Sequence, residues 1–171
     1  MKNYLLILLI APFFIGCSDD DTLTATVTIE AKNDSGISGT VTFTEVKGSV
    51  SMTANIIGLT PGDHAIHIHA IGDCSAADGT SAGGHWNPKN VDHGEWGTAP
   101  FHIGDIGNIV ADANGNGSIS RVTDLWCIDC DDDDKNVVGK AIIIHEGPDD
   151  FSSQPSGAAG PRIGCGEIAM Q

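Results

Sequence analysis

The chain is short of aromatic side chains, of positive charge and of long apolar runs. Aromatic residues make up 5% of 171, with a single Tyr, while Gly reaches 22. That balance favours many short strands and turns over long helices. Only 8 Lys and Arg stand against 23 Asp and Glu, giving a net charge of −15 and a pI near 4.4. With no basic face to release counterions, nucleic acid is excluded as a partner. The one prominent apolar run, residues 4–15, is broken at Pro12 and lies at the chain's start. It is too short for a membrane-spanning helix. The length fits a single domain with a real core, and neither an internal repeat nor a second domain is visible.

What the N-terminus does have is the form of a targeting segment. Lys2 supplies a small positive region, the apolar run follows, and Phe14-Ile15-Gly16-Cys17 closes it. This closing resembles a bacterial lipoprotein cleavage box, with Phe14 where Leu is usual. It implies a signal peptide over 1–16, a lipidated Cys17 and an acidic linker over 17–22 ahead of one domain over 23–171. A plain secretory signal with an incidental cysteine is the alternative. Loss of Lys2 with the signal leaves a mature charge of −16. Ser18-Asp19-Asp20-Asp21 resembles the acidic export signal of some surface lipoproteins, and a solvated linker reads equally well. All these readings place the protein outside the cytoplasm, where disulfides persist.

From Leu23 onward, apolar and polar residues alternate in short runs. Thr24, Thr26 and Thr28 alternate with Ala25, Val27 and Ile29, as in a half-buried strand. Further strands are expected over 37–46, 49–57, 64–69, 107–113, 118–126, 137–145 and 163–170. Turn chemistry separates several of them: Lys32 to Gly36, Lys47-Gly48, Thr60-Pro61-Gly62-Asp63 and Asn114-Gly115-Asn116-Gly117. Residues 72–104 and 146–160 lack strand period and are rich in Gly, Ser and Pro. Loops of such length are functional or disordered. Eight strands, two long loops and no convincing helix indicate an all-β antiparallel sandwich or barrel.

The histidines organise this pattern. In His64-Ala65-Ile66-His67-Ile68-His69, strand alternation puts His67 and His69 on one face. Two imidazoles there make half of a metal site. His85, His93, His102 and His145 can supply the rest, three of them from the first long loop.

These residues fall into several motifs in order. They are His67-x-His69-x-x-Gly72-Asp73; Gly84-His85-Trp86-Asn87-Pro88, then His93 and His102-x-x-Asp105; Ile144-His145-Glu146; and Arg162-x-x-Cys165-Gly166. Together they resemble the copper/zinc superoxide dismutase family over nearly all the chain after about Thr22. The resemblance implies an eight-stranded Greek-key barrel whose two loops cover one outer face. It implies copper on His67, His69, His85 and His145, and zinc on His85, His93, His102 and Asp105, with His85 bridging as imidazolate. Copper(II) favours imidazole nitrogen, and zinc takes nitrogen and carboxylate ligands. The implied reaction is dismutation of superoxide to dioxygen and hydrogen peroxide, with His85 carrying a proton. Arg162, always charged and offering a fork of donors, would dock the anion. Asp149 would link His67 to His93 behind the metals, and His64 would be structural.

By the same resemblance Cys74 and Cys165 form a disulfide. Cys127-Ile128-Asp129-Cys130, followed by Asp131 to Asp134, has no counterpart in the family pattern. A local disulfide, a redox-active or metal-delivery thiol pair, and free thiols all fit it. The competing function is a copper- and zinc-binding surface module on the same barrel without turnover. The chain keeps every implied ligand and the arginine, which favours the enzyme.

Overall fold

The computed structural model describes residues 22–171, so the proposed signal, Cys17 and the acidic run lie outside the described residues. Nine strands follow one another: β1 Leu23–Ala31, β2 Ser38–Val46, β3 Ser49–Ile57, β4 Gly62–His69, β5 Asp105–Ala111, β6 Gly117–Thr123, β7 Ala141–His145, β8 Arg162–Glu167 and the two-residue β9 Ala169–Met170. They pair antiparallel in the order β2-β3-β6-β5-β4-β7-β8-β1-β9, and β1 also pairs with β2. That last pairing closes the sheet. Of the sandwich or barrel that the alternation allowed, the barrel is what forms, with the eight strands and Greek-key crossovers that the family resemblance implies. One turn of 3-10 helix, Thr80–Ala82, is the helical content among the described residues.

β3 shows the period that builds the barrel: Val50, Met52, Ala54 and Ile56 are buried, and each intervening residue is exposed. Inward residues of all eight strands meet Phe43, Ile66, Ile68, Ile142, Ile144 and Trp126 in one core. β4 and β7 depart from the alternation, since both faces are buried from His64 onward in β4 and throughout β7. Outside β7, Ala141 and Ile143 pack with Cys165 and Ala82 in a second small cluster. The outer face there is roofed by the loop 70–104, which the Cys74–Cys165 disulfide pins to β8. Closing a loop of 91 residues contributes about 4–5 kcal/mol in the chain-entropy account.

The largest departures from the sequence expectation lie at the facing ends of β6 and β7 and within the closing strand, while other ends shift by one or two residues. β6 stops at Thr123 and β7 starts at Ala141, leaving a third long connection over 124–140. Trp126 and Val137, which read as strand residues, are buried core members held by turn backbone instead. Cys127 N–H donates to Lys135 O, and Val137 N–H donates to Cys127 O. Within this connection Cys127 and Cys130 are disulfide-bonded. The closing strand is interrupted at Ile168, whose N–H donates to Lys140 O and whose carbonyl accepts from Gly139 N–H. Its register with β1 is unchanged on either side, Cys165 facing Glu30 and Ala169 facing Thr26.

Candidate metal centre

The site lies on the outer face of β4 and β7, under the two long loops. Alternation turns Ile66 and Ile68 into the barrel core and His67 and His69 away from it, as the sequence requires. A register shift at Ile66/His67 sets His67 opposite Asp105 rather than Ile106. Bulges of this kind re-aim side chains beside functional sites. His145 ends β7 at a second shift. Loop 70–104 brings His85 alongside His69 through an isolated antiparallel bridge.

Two groups result. One nitrogen each from His67, His69, His85 and His145 lie within 4.8 Å of one another, and so do ligand atoms of His85, His93, His102 and Asp105. Around Asp105 Oδ1, His85 Nδ1 stands at 2.8 Å, His93 Nδ1 at 3.0 Å and His102 Nδ1 at 3.1 Å. His67 Nδ1, His69 Nε2, His85 Nε2, His93 Nδ1 and His145 Nε2 are buried without a hydrogen-bond partner. Orphaned buried polar atoms are costly and need a physical reason. Five ring nitrogens aimed into two small spaces fit metal ions, and the donor sets suit copper and zinc.

The far nitrogen of each ring settles which atom is bare. His69 Nδ1 donates to Gly83 O at 2.8 Å, His145 Nδ1 to Gly160 O at 3.1 Å and His102 Nε2 to Val91 O at 3.0 Å. A carbonyl only accepts, so those nitrogens carry the proton and their opposites present a lone pair. Asp149 does the same for two rings at once, taking His67 Nε2 at 2.9 Å and His93 Nε2 at 2.8 Å. Asn108 fixes Asp149 in turn through a reciprocal pair of backbone bonds. The neighbouring Asp150 is exposed and bonded within its own turn to Ser152 and Ser153. His85 is the exception: among the described residues, neither of its nitrogens has an acceptor outside the two groups. His64 stands apart, bonded to His145 O and Thr60 O.

Electrostatics follow from burial. Loss of hydration pushes His85 down to about 4 against the pull of Asp105, and His145 down to about 3. Burial likewise holds His69 well below its usual range, aided by electrostatic repulsion between its ring and that of His85. At His93 burial is outweighed by the carboxylate of Asp105, 3.0 Å from Nδ1, and by that of Asp149, bonded to Nε2, which together raise it to about 9. Burial would raise Asp105 and Asp149, yet the histidine bonds hold both well below the usual carboxylate range.

Arg162 starts β8. Its Nη1 donates to Gly79 O and its Nη2 to Gly83 O, each at 2.7 Å. An open depression over the histidines is lined by Arg162, His69, His85, His145, Asp92 and Gln154, among others. No lysine lines it. Lys140 lies over the Trp86 ring, and Lys89 belongs to a different depression. Sequence reasoning missed the carbonyls of Gly79, Gly83, Val91 and Gly160, because backbone acceptors have no residue signature. It also missed Gln154, whose amide clamps the His93 backbone in both directions.

Comparison with known proteins agrees with this geometry. A family model, copper/zinc superoxide dismutase (SODC), matches residues 37–168. The extracellular superoxide dismutase [Cu-Zn] of Brugia pahangi is 35% identical over 167 residues, covering 87% of this chain and 78% of that protein. The crystal structure of the clock protein EA4 superposes with a TM-score of 0.76 at 34% identity, covering 86% of this chain and 94% of that one.

Proposed function

Because the chain belongs to the copper/zinc superoxide dismutase family, an oxidoreductase family, we propose that it disproportionates superoxide at a copper and a zinc ion bridged by His85. Copper would be held by His67 Nδ1, His69 Nε2, His85 Nε2 and His145 Nε2, the four converging nitrogens. Zinc would be held by His85, His93 and His102 through Nδ1 and by Asp105. When bound, copper supplies the one-electron couple that oxidises one superoxide to dioxygen and reduces a second, which with two protons becomes hydrogen peroxide. The protein's part is to hold and move charge. Arg162 draws the anion to the mouth and orients it with a guanidinium already fixed by two carbonyls. His85 Nε2 takes up a proton and passes it to the reduced product. Carbonyl and carboxylate partners keep the other rings from turning during turnover.

The observation that carries this reading is His85, the single ring with both nitrogens turned into the two groups. The test is elemental analysis and dismutase assay of copper- and zinc-reconstituted protein, wild type against His85→Ala. One copper and one zinc per chain with fast turnover is expected, and the substitution should abolish turnover. A total of one metal per chain would sink the bridged site. Full loading without turnover would favour the binding module.

We further propose that residues 1–16 are a signal peptide and that Cys17 is lipidated, placing the domain of residues 23–171 in the cell envelope, on an outer membrane. There it would remove superoxide arriving from outside. The cleavage box supports this, and the Brugia pahangi relative is described as extracellular. β1 runs from Leu23 to Ala31, and Lys32 follows beside Ile163. A tether before Leu23 therefore leaves the barrel one strand length from Arg162, about 25–30 Å at the usual rise per residue. Cys17→Ser is expected to lose palmitate labelling and to remain active as soluble protein. Labelling that persists would place the anchor elsewhere.

A further inference from the structure

Lys32 is the one buried lysine among the described residues, 8% exposed. Burying an ammonium is costly unless its charge is put to use. It lies in the turn after β1, where Asn33 and Asp34 have positive φ of 52° and 56°. Lys32 Nζ donates to Cys74 O at 2.6 Å. Its stem lies against Gly79: a Cβ built there would sit 3.6 Å from Lys32 Cγ and 3.5 Å from both Cβ and Cδ of Arg162. Asn33 N–H donates to Ala77 O at 3.0 Å, and its Nδ2 donates to Arg162 O at 2.9 Å. Lys32 N–H and Ser35 Oγ both donate to Ile163 O.

The segment 74–83 is the shelf on which the guanidinium rests, through Gly79 O and Gly83 O. The turn holds that shelf with Lys32 Nζ and Asn33 N–H, and holds the Arg162 main chain with the Asn33 amide. We propose that Lys32–Asn33 is a positioning element for Arg162, locking the 74–83 segment to the start of β8 so that the guanidinium keeps its two carbonyls and its aim at the mouth. Neither residue touches substrate. Because the disulfide already ties Cys74 to Cys165, the turn's contribution is the register of the shelf rather than its attachment. The inference rests on the reading of Arg162 as the anion-docking group, but its structural half can be measured without that reading.

The experiment uses metal-loaded protein carrying Lys32→Met, Lys32→Arg or Asn33→Ala, with Arg162→Ala as reference. Phenylglyoxal modification is followed at Arg162 and at Arg121, the other described arginine, which bonds Ile106 O on a different strand pair. Lys32→Met should make Arg162 react roughly tenfold faster, the factor expected when a charge-assisted hydrogen bond is lost. Arg121 should be unaffected, and metal content and the visible copper spectrum should hold. Azide inhibition and the superoxide rate should weaken by a similar factor. Lys32→Arg, which can still donate to Cys74 O, should restore most of the effect. Asn33→Ala, which removes the link to Arg162 O alone, should give a smaller change in the same direction. Unchanged Arg162 reactivity in both Lys32→Met and Asn33→Ala would overturn the proposal. So would equal acceleration at both arginines, which marks general loosening. If Arg162→Ala leaves the superoxide rate and azide inhibition intact, the docking role of Arg162 fails, while the phenylglyoxal ratio still decides the positioning role.

Discussion

His93 and His85 sit in the same group around Asp105 and yet are driven in opposite directions. His93 has a carboxylate at each nitrogen, Asp105 on one side and Asp149 on the other, so without metal it holds a second proton up to about 9. His85 and His145, with burial dominating, are neutral above about 4 and about 3. Metal needs a neutral, unprotonated ring nitrogen. At pH 7 the protein must therefore release a proton from His93 to take zinc, while the four copper-facing nitrogens need release none from His85 or His145. The sign follows: apparent zinc affinity should rise with pH from neutrality and level off near pH 9. Calorimetry of zinc binding in buffers of different ionisation enthalpy should show net proton release near pH 7. Release close to zero would contradict this account of His93.

At the scale of elements, the loop 146–161 works because it closes onto Asp149 with no side chain in the way. Gly157 has φ of 67°, and a Cβ there would land on Asp149 Oδ1 and within 2.8 Å of His93 Nε2. Gly97 has φ of 83° with nothing within 4 Å of its Cβ. Both positions carry the backbone strain of a non-glycine residue, about 1–3 kcal/mol, but only the first also displaces the Asp149 bridge. Gly157→Ala should therefore weaken zinc binding on the order of 10–100-fold, as loss of a supporting ligand partner does. Gly97→Ala should lower stability and leave zinc affinity near wild type. Chelator competition and thermal unfolding of the two variants check this, and equal zinc affinities would refute it.

For the whole molecule the question is how an anion reaches a chain of net charge −15, or −16 under the proposal that residues 1–16 are a cleaved signal peptide. Charged groups at the mouth matter more than distant ones, because salt screens beyond a Debye length of roughly 8 Å at physiological ionic strength. Arg162 is the one fixed cation lining the depression, which Asp92 also lines and no lysine does. Local attraction then works against a repulsive background, which added salt removes first. The second-order rate with superoxide should be nearly flat, or rise slightly, with ionic strength. Pulse radiolysis across a salt series decides it, and a steep fall would mean an attractive funnel.

The sequence by itself determined an all-β antiparallel fold, and its motifs in order, through their family resemblance, named the barrel and the residues brought to one place. Period-two alternation places Ile66 and Ile68 inward and His67 and His69 outward whatever the loops do. Histidine and aspartate in motif order announce their chemistry by residue type. The tertiary structure alone decided which nitrogen of each ring is bare, because that depends on the carbonyls of Gly83, Val91 and Gly160. Every residue carries a carbonyl, and only folding aims it. The same holds for Asp149 over Asp150, which are alike in type and differ in burial and partners. It holds too for Cys127 and Cys130, whose spacing allowed three states until the turn brought them together. Lys32 reads as turn chemistry in the chain, and its burial under the 74–83 segment comes from contacts 42 residues apart, a distance that local pattern does not span.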